Sequence, residues 1–146
     1  ISAYFAAVRG TDEDFARIQA CLKNISEEQT KKNVEAEAAA VMQFLIALTE
    51  AAHNVVLLHI VRSLAPLLEQ NVLQNLKLLH RRDEVVEKVS KHRANIVDAI
   101  VSGQPEKARE MSHSHLAYIE ETLLDLSREE SRRERSLRRI QQGNDS

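Results

Sequence analysis

Turn-forming and cross-linking residues are nearly missing from this sequence. Three Gly, two Pro and a 3% share of aromatics, with no Trp, leave little material for the turns and aromatic-rich strands of an all-β fold. A single cysteine, Cys21, excludes an internal disulfide and a Cys-rich zinc site, and fits a reducing cytosol. No apolar run reaches the ~18 residues a membrane span needs, and no charged-then-apolar secretion signal opens the chain, so no membrane partner is expected. Excess charge is lacking too: a net −2 gives no general attraction to nucleic acid or to an anionic membrane. There is no phosphate-binding Gly loop, no Ser or Cys nucleophile in a recognisable setting and no His-Glu-x-x-His, hence no positive sign of an enzyme.

What is present is helical pattern. Ala, Leu, Glu, Arg and Val dominate 146 residues, enough for one all-α domain with a real core. Ile1 to Val8 read as the tail of a helix stopped by Gly10, its beginning expected upstream, since the chain opens without Met. Thr11-Asp12-Glu13-Asp14 reads as a helix start, a hydroxyl cap followed by acids in the positive first turn, with Phe15, Ile18, Leu22 and Ile25 at helical spacing behind it. Val34 to His53 is apolar nearly all round, as in a helix at the middle of a bundle. Asn54 caps the next helix, Val55 to about His80, in which Pro66 should produce a kink near Arg62 to Pro66. Its core face is read as Leu57, Ile60, Leu64, Leu67, Leu68, Leu78 and Leu79. Asn71 and Asn75 interrupt that face; two such amides either bond each other and a buried water or bind something.

Asp83 is read as the cap of a helical hairpin folded around Gly103-Gln104-Pro105, where Gly suits the left-handed position past one helix and Pro the first turn of the next. His92 precedes Gly103 by about as many residues as His115 follows it. At about 1.5 Å per residue both imidazoles stand roughly 16–18 Å from the turn, level with each other. Phase places His115 on the apolar arc with Ala108, Met111, Ile119, Leu123 and Leu126, and His92 at the edge of the arc of Val85, Val89, Ile96 and Ile100. Arg93 falls within that second arc, odd for a group whose unpaired burial costs several kcal/mol. Two core-edge histidines with backbone partners are the plainer reading; two imidazoles facing one pocket are the functional one. The last stretch, SREESRRERSLRRIQQGNDS, reads as a solvated helix supported by pairs such as Glu129–Arg133 and Glu134–Arg138, with a basic patch for DNA or a protein partner as the alternative.

A di-iron carboxylate bundle would need two Glu-x-x-His pairs pointing inward. Glu50 with His53 and Glu110 with His113 have the spacing, but His53 ends its helix and Glu110 and His113 face outward by phase.

Three stretches, Thr49 to Leu64, His92 to Glu121 and Leu123 to Arg139, resemble the C-terminal effector-binding domain of bacterial GntR-type regulators of the FadR group. The resemblance implies an antiparallel all-α bundle of about six helices, the first truncated. It would form one effector-binding and dimerisation domain over residues 1–146, homodimeric, binding a small carboxylate such as pyruvate. Operator DNA would be read by a winged helix-turn-helix domain N-terminal to this chain. Many members hold a divalent metal with an Asp, a His four residues later and two His from the last two helices. His92 and His115 match the last two positions, whereas the first two fall on Val41 and Leu45, which cannot ligate, so no tightly bound metal or other cofactor is expected. The implied mechanism has the carboxylate accept hydrogen bonds from His92 and His115, at least one protonated, with Arg93, while Asn71 or Asn75 donates to the keto oxygen. The other function class left open is a purely structural dimerisation bundle with a filled core.

Overall fold

A computed structural model describes Ile1–Asp145 as six helices: α1 Ser2–Arg9, α2 Asp12–Thr30, α3 Val34–Ala51, α4 Val55–Leu79, α5 Asp83–Val101 and α6 Pro105–Asn144. No strand occurs among the described residues, and no helix there is long and apolar enough to cross a membrane.

The helix boundaries follow local chemistry. Thr11 and Asp14 form a reciprocal capping box, each side chain meeting the other's backbone N–H. Asn33 Oδ1 accepts from Ala36 N–H and Asn54 Oδ1 from Leu57 N–H, satisfying donors that α3 and α4 would otherwise leave open. Gly103 takes φ +67, the left-handed conformation that ends α5, and Pro105 begins α6. Asp83 is not the cap of α5. Arg82 occupies that position without a side-chain bond, and Asp83 lies one residue inside, where its charge still meets the positive first turn.

α3 is the central rod, packed against α1, α2 and α4, while the α5–α6 hairpin closes over α1, with α5 also against α2 and α6 against α4. Val41, Met42, Phe44 and Leu48 of α3 are buried. Each contributes about 1.5–3 kcal/mol through removal from water. The corner joining α2, α3 and α4 is polar. Asp14 is buried there, and His53 Nε2 meets its carboxylate at 2.7 Å although His53 itself sits at φ 52. Burial pushes the Asp14 carboxyl up, but hydrogen bonds from Thr11, His53 and Arg17 outweigh it and hold the group well below the usual carboxylate range.

Two features depart from the sequence reading. α4 contains Pro66 within one helix, but its inner face is not the expected leucine row. Val61, Leu68, Val72, Asn75, Leu76 and Leu79 turn inward, whereas Ile60, Leu64 and Leu67 are 49%, 45% and 65% exposed. The apolar side chains of α4 spread well beyond one stripe, so its rotation is set by what it packs on. The Glu129–Arg133 pair also does not form; Glu129 and Glu130 instead bond Arg82 and Arg81, tying α6 to the α4–α5 turn.

Candidate functional site

α1, α3, α4, α5 and α6 enclose a cavity of about 440 Å³ whose wall is mostly hydrocarbon, including Val41, Leu45, Leu68 and Val72. Six polar side chains line it: Ser2, Thr49, Asn75, Arg93, Ser112 and His115. Thr49 already donates to the Leu45 carbonyl at 2.8 Å, leaving its oxygen as an acceptor. Asn75 Nδ2 donates to Asn71 Oδ1 at 3.1 Å, which leaves one amide hydrogen and its own oxygen available.

Arg93 is the dominant charge. It is 6% exposed, and its Nη1 is buried with no hydrogen-bond partner. Burial pushes the guanidinium down from its ordinary value, opposed by the field of Glu37. A guanidinium stays protonated in proteins, so the site holds a desolvated cation with a donor to spare. Such a group costs free energy unless an anion meets it.

His115 stands beside it, also buried, with Nδ1 unpartnered. Burial first, then the neighbouring Arg93 and His92, lowers its pKa to about 4, so the ring is neutral near pH 7. His92 packs edge to face against His115 at 5.6 Å and against Tyr118 at 5.2 Å between centroids. The two imidazoles are therefore level across the hairpin. His92 does not reach the cavity wall, however; it stands behind His115 at the flank of the bundle, half-buried. Its pKa is lowered by burial and by Lys88 and Lys91. The positive charge that the sequence reading placed on an imidazolium thus resides on Arg93. Asn71 is exposed on the outer side of α4 and touches the site only through Asn75.

The neutral state of His115 has a pH signature. An unfolded histidine takes a proton near pH 6.5, and the folded one refuses it until about pH 4. Stability from this group is thus intact above 6.5 and falls with pH down to about 4. The full loss is on the order of 3 kcal/mol. Urea unfolding of His115→Gln between pH 7 and 4.5 is expected to show a flatter profile than the parent; an unchanged profile would place the loss elsewhere.

A second polar cluster backs onto Arg93 and escaped the sequence reading. Glu37 is 1% exposed; it accepts from Gln29 Nε2 at 3.0 Å and meets His80 Nε2 at 2.7 Å, while Ser90 Oγ donates to Gln29 Oε1 at 3.1 Å. Glu37 and Arg93 line the same small gap beside the main cavity. The signal was present in the sequence. Glu37 shares the spacing of Val41, Phe44 and Leu48, so the charge sits on the buried stripe of α3.

For a metal the donors do not suffice. Val41 and Leu45 face the cavity as hydrocarbon, and no group of three His, Cys, Asp or Glu side chains gathers among the described residues. One cavity imidazole with a second behind it falls short of the four or more donors that zinc or nickel takes. The Glu-x-x-His pairs do not converge either, since His53 is tied to Asp14 at the helix end and Glu110 and His113 are exposed.

The sequence of this helical chain has relatives. Residues 2–118 match the family model of the FCD domain. Among curated relatives, the putative L-lactate dehydrogenase operon regulatory protein of Escherichia coli K12 is 26% identical over 137 residues, covering 94% of this chain and 52% of the relative. The Glc operon transcriptional activator of the same strain is 27% identical over 131 residues, covering 88% and 52%. The chain thus spans about half the length of the curated relatives it matches. With the family model covering most of its length, the chain belongs to the FCD domain family, the C-terminal domains of GntR-family transcriptional regulators.

Proposed function

We propose that this chain senses a short carboxylate, pyruvate or a closely related 2-oxo or 2-hydroxy acid, and thereby controls DNA binding by a winged helix-turn-helix domain N-terminal to it in a transcriptional repressor. The observation that carries the reading is Arg93, a buried cation with an unpartnered donor at the wall of a cavity. The carboxylate accepts charge-assisted bonds from Arg93, which are short and strong where water is scarce. Neutral His115, with one donor and one acceptor, and Asn75, with a free amide hydrogen, address the oxygen on the second carbon. His92 holds the His115 ring from behind. The relative named for an L-lactate dehydrogenase operon supports this acid class. No metal enters the reading.

A purely structural dimerisation bundle would have a filled interior. An interior space of about 440 Å³ bordered by orphaned donors favours sensing instead. A three-carbon acid occupies a minor part of that space, so the test must include longer acids. Calorimetry of the full-length protein against pyruvate, L-lactate, acetate and four- to six-carbon 2-oxo acids, with and without added divalent metal, decides the matter. Saturable binding of one acid without metal supports the proposal; no binding by any, or binding only with metal, refutes it.

The sensing unit is a homodimer in this reading. Val56, Ile60, Leu64 and Leu67 leave one face of α4 apolar and exposed without a neighbour in the chain. A self-complementary patch of that kind suits a two-fold contact. Ile60→Glu with Leu67→Glu is expected to convert a micromolar dimer into monomer in sedimentation, with effector affinity retained. A dimer that survives both charges would move the interface to another face.

A further inference from the structure

α6 does not stop where the bundle stops. Leu126 is its last buried residue, yet the helix continues to Asn144, about 27 Å further at 1.5 Å per residue. The family model ends at residue 118, before this extension begins.

Arg128, Arg132, Arg135 and Arg139 recur at spacings of four, three and four, and fall within an arc of about 60° at 100° per residue. Leu137 lies on the opposite side, and Glu129, Glu130 and Glu134 fall outside the arc. The bonds from Glu129 to Arg82 and from Glu130 to Arg81 fix the rotation of the helix, so the arginine face looks away from the bundle. All four arginines are exposed, and among the described residues none makes an ion pair or side-chain hydrogen bond.

A merely solvated helix is best served by opposite charges three and four residues apart. Along this arc three neighbour pairs are arginine beside arginine, at a few tenths of a kcal/mol each, and the acids three residues before Arg128 and Arg132 (Asp125 and Glu129) do not pair with them. The arrangement offsets that cost only when a polyanion lies along it. Arginine, with its planar fork of donors, suits phosphate oxygens.

We propose that the α6 extension is an accessory contact for the sugar-phosphate backbone of duplex DNA, supplementing the reading domain without adding sequence preference. This rests on the proposed function, since only a regulator that holds DNA brings a duplex near the helix. Phosphate contacts position a protein and contribute affinity irrespective of sequence, through release of bound counterions.

The test uses the full-length protein and a random-sequence 30-base-pair duplex, followed by fluorescence anisotropy from 50 to 200 mM salt. The four-site variant R128Q/R132Q/R135Q/R139Q is expected to bind at least about tenfold more weakly at 50 mM salt. Its log-log salt slope should be shallower by about 0.9 for each phosphate that the variant no longer neutralises, or about 3 to 4 in total. The four-site Lys variant should keep most of the slope, which separates charge from loss of fold. A Gln variant with the parent slope overturns the proposal while leaving the regulator reading intact; a parent protein that binds no duplex at any salt removes both. Phosphatidylglycerol vesicles form the control arm. A stripe that governs vesicle binding but not the DNA slope would assign it to a lipid surface instead.

Discussion

Arg93→Met is expected to weaken effector binding by about 100-fold or more and to leave the effector-free protein as stable as before, or more stable. The two signs have one cause. In the empty domain the guanidinium is desolvated, its Nη1 meets nothing, and its nearest opposite charge, Glu37, acts only through space. Removing the guanidinium relieves that desolvation, and Glu37 keeps its bonds from Gln29 and His80, so the carboxylate left behind is not unpartnered. The same replacement removes the one buried cation at the cavity wall among the described residues. Hydrogen bonds to charged groups contribute about 1.5–3 kcal/mol each, so losing one or two corresponds to at least an order of magnitude and up to several in affinity. Calorimetry with the acid that binds the parent, and urea denaturation without ligand, read the two signs separately. Retained affinity would remove Arg93 from the site, whereas a large loss of stability would make it a structural group. His115→Gln serves as the comparison, since a neutral ring lost to a neutral amide should cost far less affinity.

The sequence was most legible where punctuation and periodicity agree. Gly103 and Pro105 mark one turn unambiguously, and the helices on either side each have a single apolar arc, so the level placement of His92 and His115 could be read from residue counts alone. His92 and Arg93 lie about 100° apart on α5, His92 read at the edge of its apolar arc and Arg93 within it, and the sequence reading put both at the pocket. The packing of α5 on α1, α2 and α6 turned Arg93 into the cavity and left His92 behind His115. Composition argues against burying an arginine, yet Arg93 is buried, with the buried Glu37 acting on it through space. For α4 the difficulty is different. Its inner residues border a space rather than a packed neighbour, and its outer side mixes Val56, Ile60, Leu64 and Leu67 with His59, Arg62, Gln70 and Lys77, so the leucines alone do not mark the boundary. Buried charges on otherwise apolar stripes were the more reliable pointer. The spacing test that singled out Arg93, applied to α3, singles out Glu37.

That carboxylate should matter more to folding than any other side chain near the cavity. Glu37→Leu is expected to destabilise the effector-free protein by about 3–5 kcal/mol, because removing one member of a buried charge pair leaves the other uncompensated. Its loss also leaves Gln29 Nε2 and His80 Nε2 without their acceptor, at a place where the α4–α5 turn is held to α3. Glu37→Gln isolates the charge from the shape and should cost less, since an amide oxygen still accepts one of the two bonds. The informative measurement is the double variant Glu37→Leu with Arg93→Met. If the two charges stabilise one another across the gap they share, the double variant loses less than the two single changes predict together. The interaction free energy should then exceed about 1 kcal/mol, well outside the few tenths expected for independent sites. Strict additivity would mean that Arg93 is tolerated in the interior for some reason other than Glu37. Coupling would instead give Arg93 two anionic claimants, one built into α3 and one brought by the ligand. An arriving carboxylate would then compete with Glu37 for the same guanidinium and relax the Glu37–His80 contact that ties α3 to the head of α5, a local change that a regulator could pass on to its DNA-reading domain.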